Sequence, residues 1–333
     1  MPELTPDLLA KPAAYSARVI AREYLANVSA QFDRFLTDGA TGFHDLRVAL
    51  RRLRTWIRAY QPVLDDTIRK KTRRGLRKLA NATNAPRDTE VMLEWVEGRT
   101  DPAARERAGV RYFTDRLTRE HDEADAEARE RMKDKLPKLT SALTKELAAY
   151  RLRYDIEEPT DVPSMARVAR DTMIAQADRL SRAIDRIESA DDADAIHRVR
   201  IAAKRLRYVL ETIPDATAAA LVERLTALQD SLGICHDMHG LVNRIVRELG
   251  EVGAHDARIT ALRSFADEGD RSTGERPLLS KIRPGLTALA ARARQTERDS
   301  YAAFQAAWMP VDVARTVKEV AALGDDLIER GTR

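Results

Sequence analysis

Apolar residues recur along the chain at three- and four-residue spacing, and prolines punctuate it at Pro12, Pro62, Pro86, Pro102, Pro137, Pro159, Pro163, Pro214, Pro277, Pro284 and Pro310. A proline fixes φ and removes a helix hydrogen-bond donor, so this spacing predicts helices between the prolines, with most prolines at helix ends. No run of alternating β-branched residues is bracketed by Asn-Gly or Asp-Gly turns, which leaves no strand signal. The pattern predicts an all-α fold.

One stretch occurs twice. His44-Asp-Leu-Arg-Val-Ala-Leu-Arg-Arg-Leu-Arg54 lines up with His197-Arg-Val-Arg-Ile-Ala-Ala-Lys-Arg-Leu-Arg207, sharing H-x-x-R-[VI]-A-x-[RK]-R-L-R. The flanks agree as well: Ala17-Arg18-Val19 precedes the first copy as Ala166-Arg167-Val168 precedes the second, and Arg87-Asp88 follows as His236-Asp237 does. A tandem duplication predicts a first helical repeat over 13–155, a linker over 156–163 and a second repeat over 164–310. The segment from Asp155 to Pro163 is acidic and proline-bearing, as a linker should be, and 311–333 is left as a C-terminal helix or tail. Each repeat has room for about four helices.

Both copies are preceded by helix-start signals: Thr41 as a cap with Asp45 in the opening turn, and Asp191 or Asp192 with Asp194. At 100° per residue, Phe43, Leu46, Leu50, Leu53 and Ile57 share one face, and His44, Arg47, Arg51, Arg54 and Arg58 share a stripe beside it. In the second copy Ile196, Val199, Ala203, Leu206 and Leu210 are apolar, and His197, Arg200, Lys204 and Arg207 form the stripe. Solvated Arg-rich faces usually pair with acids one turn away, but neither stripe carries an acid. Like charges at i, i+3 and i+4 cost a bare helix a few tenths of a kcal/mol each. An anionic ligand is the simplest compensation, and the arginine fork suits phosphate because it donates two bonds to one group.

Secondary candidates are Arg18 and Arg167, which match between the copies, and Lys70, Arg73, Arg74 and Arg77 on the next basic segment of the first copy. Its counterpart, from about Ala218 to Ala227, keeps almost none of that charge. Arg52 and Arg205 fall off the stripes and read as surface or inter-helix salt-bridge residues, and Asp88 and Asp237 read as caps of the helices that follow.

Charged residues make up 33% of the 333-residue chain and aromatics 5%, yet the formal net charge is only +4. Any polyanion site must therefore come from segregating cations onto particular faces. The single cysteine, Cys235, excludes an intramolecular disulfide and suits a reducing, cytoplasmic setting. Neither a leader-like N-terminus nor a bilayer-length apolar run is present in the sequence, so no membrane association is expected.

The repeated motif, with Arg87-Asp88 and His236-Asp237 downstream, resembles the CHAD family, the conserved histidine α-helical domain, over nearly the whole chain from about Ala13 to Trp308. The resemblance implies two four-helix units related by pseudo-twofold symmetry around a basic central cavity that binds inorganic polyphosphate. On the matching positions, His44, Arg47, Arg51 and Arg54 with His197, Arg200, Lys204 and Arg207 would be the ligands. His236 stands where the family usually has Arg, and the second copy is poorer in charge on its third helix. Family members are often fused to a triphosphate tunnel domain marked by E-x-E-x-K; that signature does not occur here, which implies a stand-alone version. Association with polyphosphate granules or polyphosphate-metabolising enzymes would follow.

Two other classes compete. A His-Asp metal phosphohydrolase is suggested by the dipeptides at His44, His121, His236 and His255. A divalent cation needs carboxylates and neutral imidazoles facing one point, however, and His44 shares its stripe with arginines while Arg198 replaces Asp45 in the second copy. Cys235, His236, Asp237 and His239 are too close in sequence to converge on one ion. Neither a metal nor a cofactor nor catalysis is expected. A nucleic-acid backbone would satisfy the same arginines, but the stripes carry no aromatic for stacking on bases, and Tyr60 and Tyr208 fall on or near the apolar side.

Overall fold

The computed structural model describes residues 2–98, 102–149, 162–189, 191–264, 277–308 and 311–332. Among these the chain forms α1 (Pro6–Ala10), α2 (Ala13–Ala59), α3 (Gln61–Leu64), α4 (Lys70–Ala82), α5 (Asn84–Glu97), α6 (Arg107–Ala148), α7 (Met165–Ile184), α8 (Ala193–Leu210), α9 (Ala216–Ser264), α10 (Leu278–Trp308) and α11 (Val311–Thr332). The protein is all-α, and no strand occurs among the described residues beyond one isolated bridge, Pro12 to Ser164. Most of the expected linker, 156–161, lies outside the described residues.

Helical hydrogen bonding runs from Ala13 to Ala59, yet residues far apart along α2 touch. Trp56 Nε1 donates to the Ala17 carbonyl at 2.8 Å, the Phe35 and Phe43 rings lie 5.5 Å apart, and Arg34 pairs with Asp45 at 3.5 Å. At a rise of 1.5 Å per residue, a straight helix would hold Ala17 and Trp56 about 60 Å apart. The chain therefore folds back between Phe35 and Phe43, making α2 a hairpin of two helical arms. Gly42 permits the reversal: a Cβ there would stand 2.7 Å from the Phe35 Cα and 2.8 Å from the Arg34 carbonyl. Thr41, the expected cap of the motif helix, falls in this reversal, and its side chain is outside the described residues.

In the second copy, Asp192 caps α8, its carboxylate accepting from the Ala195 N–H at 2.9 Å. Asp88 and Asp237 are not caps, because α5 and α9 have already begun before them. Pro137 and Pro284 likewise depart from expectation, standing inside α6 and α10. Each is flanked by buried apolar side chains, Leu136 and Leu139 in one case and Ile282 and Leu286 in the other, so tertiary packing outweighs the lost donor.

The described chain divides into two compact units, 1–84 with 126–230 and 304–333, and 85–125 with 231–303. This division does not follow the two sequence repeats; it runs through α6, α9 and α10. In the first unit the α2 hairpin and α7 with α8 bury the apolar faces of both motif copies: Leu46, Leu50, Leu53, Val199, Ala203 and Leu206 are all at most 1% exposed. The Trp56 and Tyr60 rings lie 4.1 Å apart, tilted by 42°. In the second unit Phe113, Leu117, Leu241, Ile245, Leu286 and Leu289 form a separate core. There α6 and α10 meet backbone to backbone at Gly109 and Gly285, where added Cβ atoms would lie 2.1 Å and 2.2 Å from carbonyl oxygens of the facing helix.

Candidate functional site

Every candidate cation of either copy belongs to the first unit. The second arm of α2 and α8 present their apolar faces to its core, which leaves the basic stripes at the edge of that core, half-buried or exposed.

Two adjoining clefts are built on the end of the α2 second arm. One, of ≈ 510 Å³, is lined by Arg54, Arg58 and Gln61 together with Lys70, Arg73, Arg74 and Arg77 of α4. The first-copy stripe and the basic segment after it thus face each other across a groove. The other, of ≈ 550 Å³, shares Arg58 and Gln61 and is closed by Asp171, Arg179 and Gln176 of α7 and by Arg205 of α8. The two clefts form a continuous cationic track.

The track is poorly neutralised from within. Arg73 pairs with Asp65, and Arg54 donates to Asn81 at 3.1 Å. Arg58, Arg179 and Arg205 make no ion pair among the described residues. Burial, and then the charges of Arg58 and Arg77, hold the Arg54 guanidinium below the usual arginine range. Arg205 is pushed down to about 10, first by burial and then by Arg58, Arg179 and Arg54. The native state therefore holds these charges less well than the unfolded chain does, through burial first and the repulsion of neighbouring arginines second.

Other predicted residues are placed differently. His44, Arg47 and Arg51 stand further up the α2 second arm and His197, Arg200 and Lys204 further up α8; none lines the two clefts. The Nε–H groups of Arg51 and Arg200 are buried and make no hydrogen bond among the described residues. Arg207 is engaged by protein: Glu211 lies 3.6 Å away, Thr226 3.4 Å, and the guanidinium sits over the Tyr208 ring at 4.8 Å. Arg18 is buried in a separate cleft with Arg69, Lys145, Asp66 and Glu146, and Arg167 is exposed at the start of α7.

Sequence reasoning missed Arg179 and Arg205. Arg52 does form the expected inter-helix bridge, to Glu211 at 3.3 Å, but Arg205 does not. A signal existed, because Ile201, Ala202, Tyr208 and Val209, the residues one turn either side of Arg205, offer it no acid.

Among the described residues no group of three or more His, Cys, Asp or Glu side chains is placed to hold a metal ion. His239 bonds Glu297 at 3.1 Å and His236 meets Asp237 at 3.2 Å, while His121 faces the Pro86 carbonyl at 3.1 Å. No helix of the described residues is long and apolar enough to cross a membrane.

The fold is an all-α scaffold that carries a duplicated motif with arginine-lined helix faces. The CHAD domain family matches residues 19–245, and the chain belongs to that family. Its fold is similar to the crystal structure of the CHAD domain from the plant Ricinus communis, at 20% identity and a TM-score of 0.60, covering 97% of each chain. It is also similar to PptA from Streptomyces chartreusis, at 16% identity and a TM-score of 0.60, covering 90% of this chain and 100% of that one. No curated protein matches in sequence.

Proposed function

We propose that the protein binds inorganic polyphosphate along the track between the α2 second arm, α4 and α8, without chemical conversion. The carrying observation is the crowding of Arg54, Arg58, Arg77, Arg179 and Arg205, whose charges repel one another at burial that weakens solvent screening. A chain of closely spaced phosphates relieves that repulsion, and each charge-assisted bond contributes about 1.5–3 kcal/mol. CHAD membership supports the same ligand. The clefts carry no aromatic side chain on which a base could stack, which favours polyphosphate over single-stranded nucleic acid. On this reading, partners are polyphosphate granules or enzymes that act on the polymer.

The test is titration with long-chain polyphosphate at physiological salt, with duplex DNA as competitor and released orthophosphate monitored with and without divalent metal. Saturable binding that DNA displaces poorly, with the polymer recovered intact, is the expected result. Metal-dependent orthophosphate release at turnover would overturn it.

A further inference from the structure

The duplication supplies an internal control for the cleft at Arg205. In the register that aligns His44 with His197, Arg52 corresponds to Arg205 and Arg58 to Glu211; in the register that aligns Ala17 with Ala166, Glu23 corresponds to Thr172, Asn27 to Gln176 and Ala30 to Arg179. The cleft of Arg205 contains Arg58, Thr172, Gln176 and Arg179. A second cleft of the same unit, ≈ 550 Å³ in volume, contains Glu23, Asn27, Asp45 and Arg52. Three corresponding pairs, Glu23 with Thr172, Asn27 with Gln176 and Arg52 with Arg205, line the two clefts, which makes them repeat mates.

Their charges have diverged. In the mate cleft Arg52 is neutralised by Glu211 at 3.3 Å, and Glu23 and Asp45 add further negative charge. In the Arg205 cleft, Arg58 stands where Glu211 would be expected, Thr172 replaces the acid Glu23, and Arg179 adds a cation where the mate has Ala30. A structural ion pair in one copy has become a like-charge pair in the other. Such a pair is unfavourable in the empty protein, and three of the changes move in the direction an anion requires; Asp171, standing where the first copy has Arg22, moves the other way and is paired with Arg170 at 3.3 Å.

We infer that the cleft lined by Arg58, Arg179 and Arg205 is a discrete subsite for one dianionic phosphoryl group, present in one copy of the duplication only. Two arginines and a shared third can grip three oxygens of a single phosphate, with Thr55, Thr172, Gln176 and Asp171, the last paired with Arg170, on the remaining wall. The group comes either from the end of a polyphosphate chain lying in the adjoining groove or from a free small phosphate. The first source rests on the proposed function above; the second does not.

Calorimetric titration of the full chain separates these possibilities, using pyrophosphate, long-chain polyphosphate and long-chain polyphosphate with both ends blocked as phosphoramidates. The wild type should take up pyrophosphate one to one, and Arg179→Gln with Arg205→Gln should weaken that uptake roughly ten- to hundredfold, the loss of one or two charge-assisted contacts. Melting temperature should hold or rise, because two crowded charges are gone. Arg58→Glu should also abolish pyrophosphate uptake while raising the melting temperature, since it recreates with Arg205 the ion pair that Arg52 makes with Glu211. If the chain end is the ligand, end-blocking weakens polyphosphate binding to the wild type and not to the double variant; if a small phosphate is, end-blocking changes nothing. Unchanged pyrophosphate affinity in the double variant, or no uptake by the wild type, overturns the subsite and leaves the groove standing if long chains still bind. Pyrophosphate uptake that depends on Arg205, with no polyphosphate binding at all, would sink the groove and keep the subsite.

Discussion

Arg54 and Arg207 occupy the same place in the repeated motif, but one helical turn later stands Arg58 in the first copy and Glu211 in the second. Their energetics therefore have opposite sign. Among the described residues Arg54 is held by Asn81 and repelled by Arg58 and Arg77, so Arg54→Gln should weaken polyphosphate binding about tenfold or more while the melting temperature holds or rises. Glu211 has a side chain only 10% exposed and shares itself between Arg52 and Arg207. Arg207→Gln should then cost about 1–3 kcal/mol in urea unfolding, with a smaller effect on ligand. Equal stability losses for the two variants would show that Arg54 is structural. The stripe pattern made both arginines legible as candidates, since like charges at helical spacing are visible in one dimension. Glu211 one turn after Arg207 was legible as well; what periodicity along one helix does not record is that the same carboxylate also takes Arg52 of α2 at 3.3 Å.

Helix α4 shows the same limit at the scale of an element. Its sequence announces an amphipathic basic helix, with Thr72, Leu76 and Leu79 buried and Lys70, Arg74 and Arg77 exposed. It also opens with Arg69, Lys70, Lys71 and Arg73 and no acid, the wrong sign for a helix N-terminus. The missing anion comes from α6. Glu146, 7% exposed, accepts from the Arg69 N–H at 3.1 Å and from the Thr72 hydroxyl at 2.8 Å, and pairs with the Arg69 Nε at 3.0 Å. A capping partner 74 residues away from Thr72 leaves no local signature, so the helix was legible and its anchor was not. Glu146→Ala should lower stability by about 1–3 kcal/mol by orphaning those donors. It should also weaken polyphosphate binding, because α4 carries one wall of the groove. Loss of stability with undiminished affinity at a temperature where the variant is folded would show that α4 contributes little to the site. The α2 hairpin is the converse case, since its apolar and basic faces were readable while the reversal at Gly42 carries no proline to announce it.

For the molecule as a whole, 57 basic residues against 53 acidic ones leave almost no net field, so a polyanion is held by what it touches and not by long-range attraction. Salt then becomes a counting device. Each phosphate neutralised in the groove releases condensed counterions, so log K should fall linearly with log salt, with a slope set by the number of groove cations engaged. A short oligophosphate fills part of the track and should show a shallow slope. A longer chain should bind more tightly and more steeply until the track is full, after which added length changes neither. Removing one groove cation tests the count directly: Lys70→Ala should reduce the slope by about one for long chains. Lys135 is the matched control, a lysine of the same unit tied to Asp134 at 2.6 Å and outside both clefts. Lys135→Ala removes the same formal charge and should leave the slope unchanged. If both variants lowered the slope equally, binding would be reporting total charge, and the assignment of the track between α2, α4 and α8 as the binding surface would have to be abandoned.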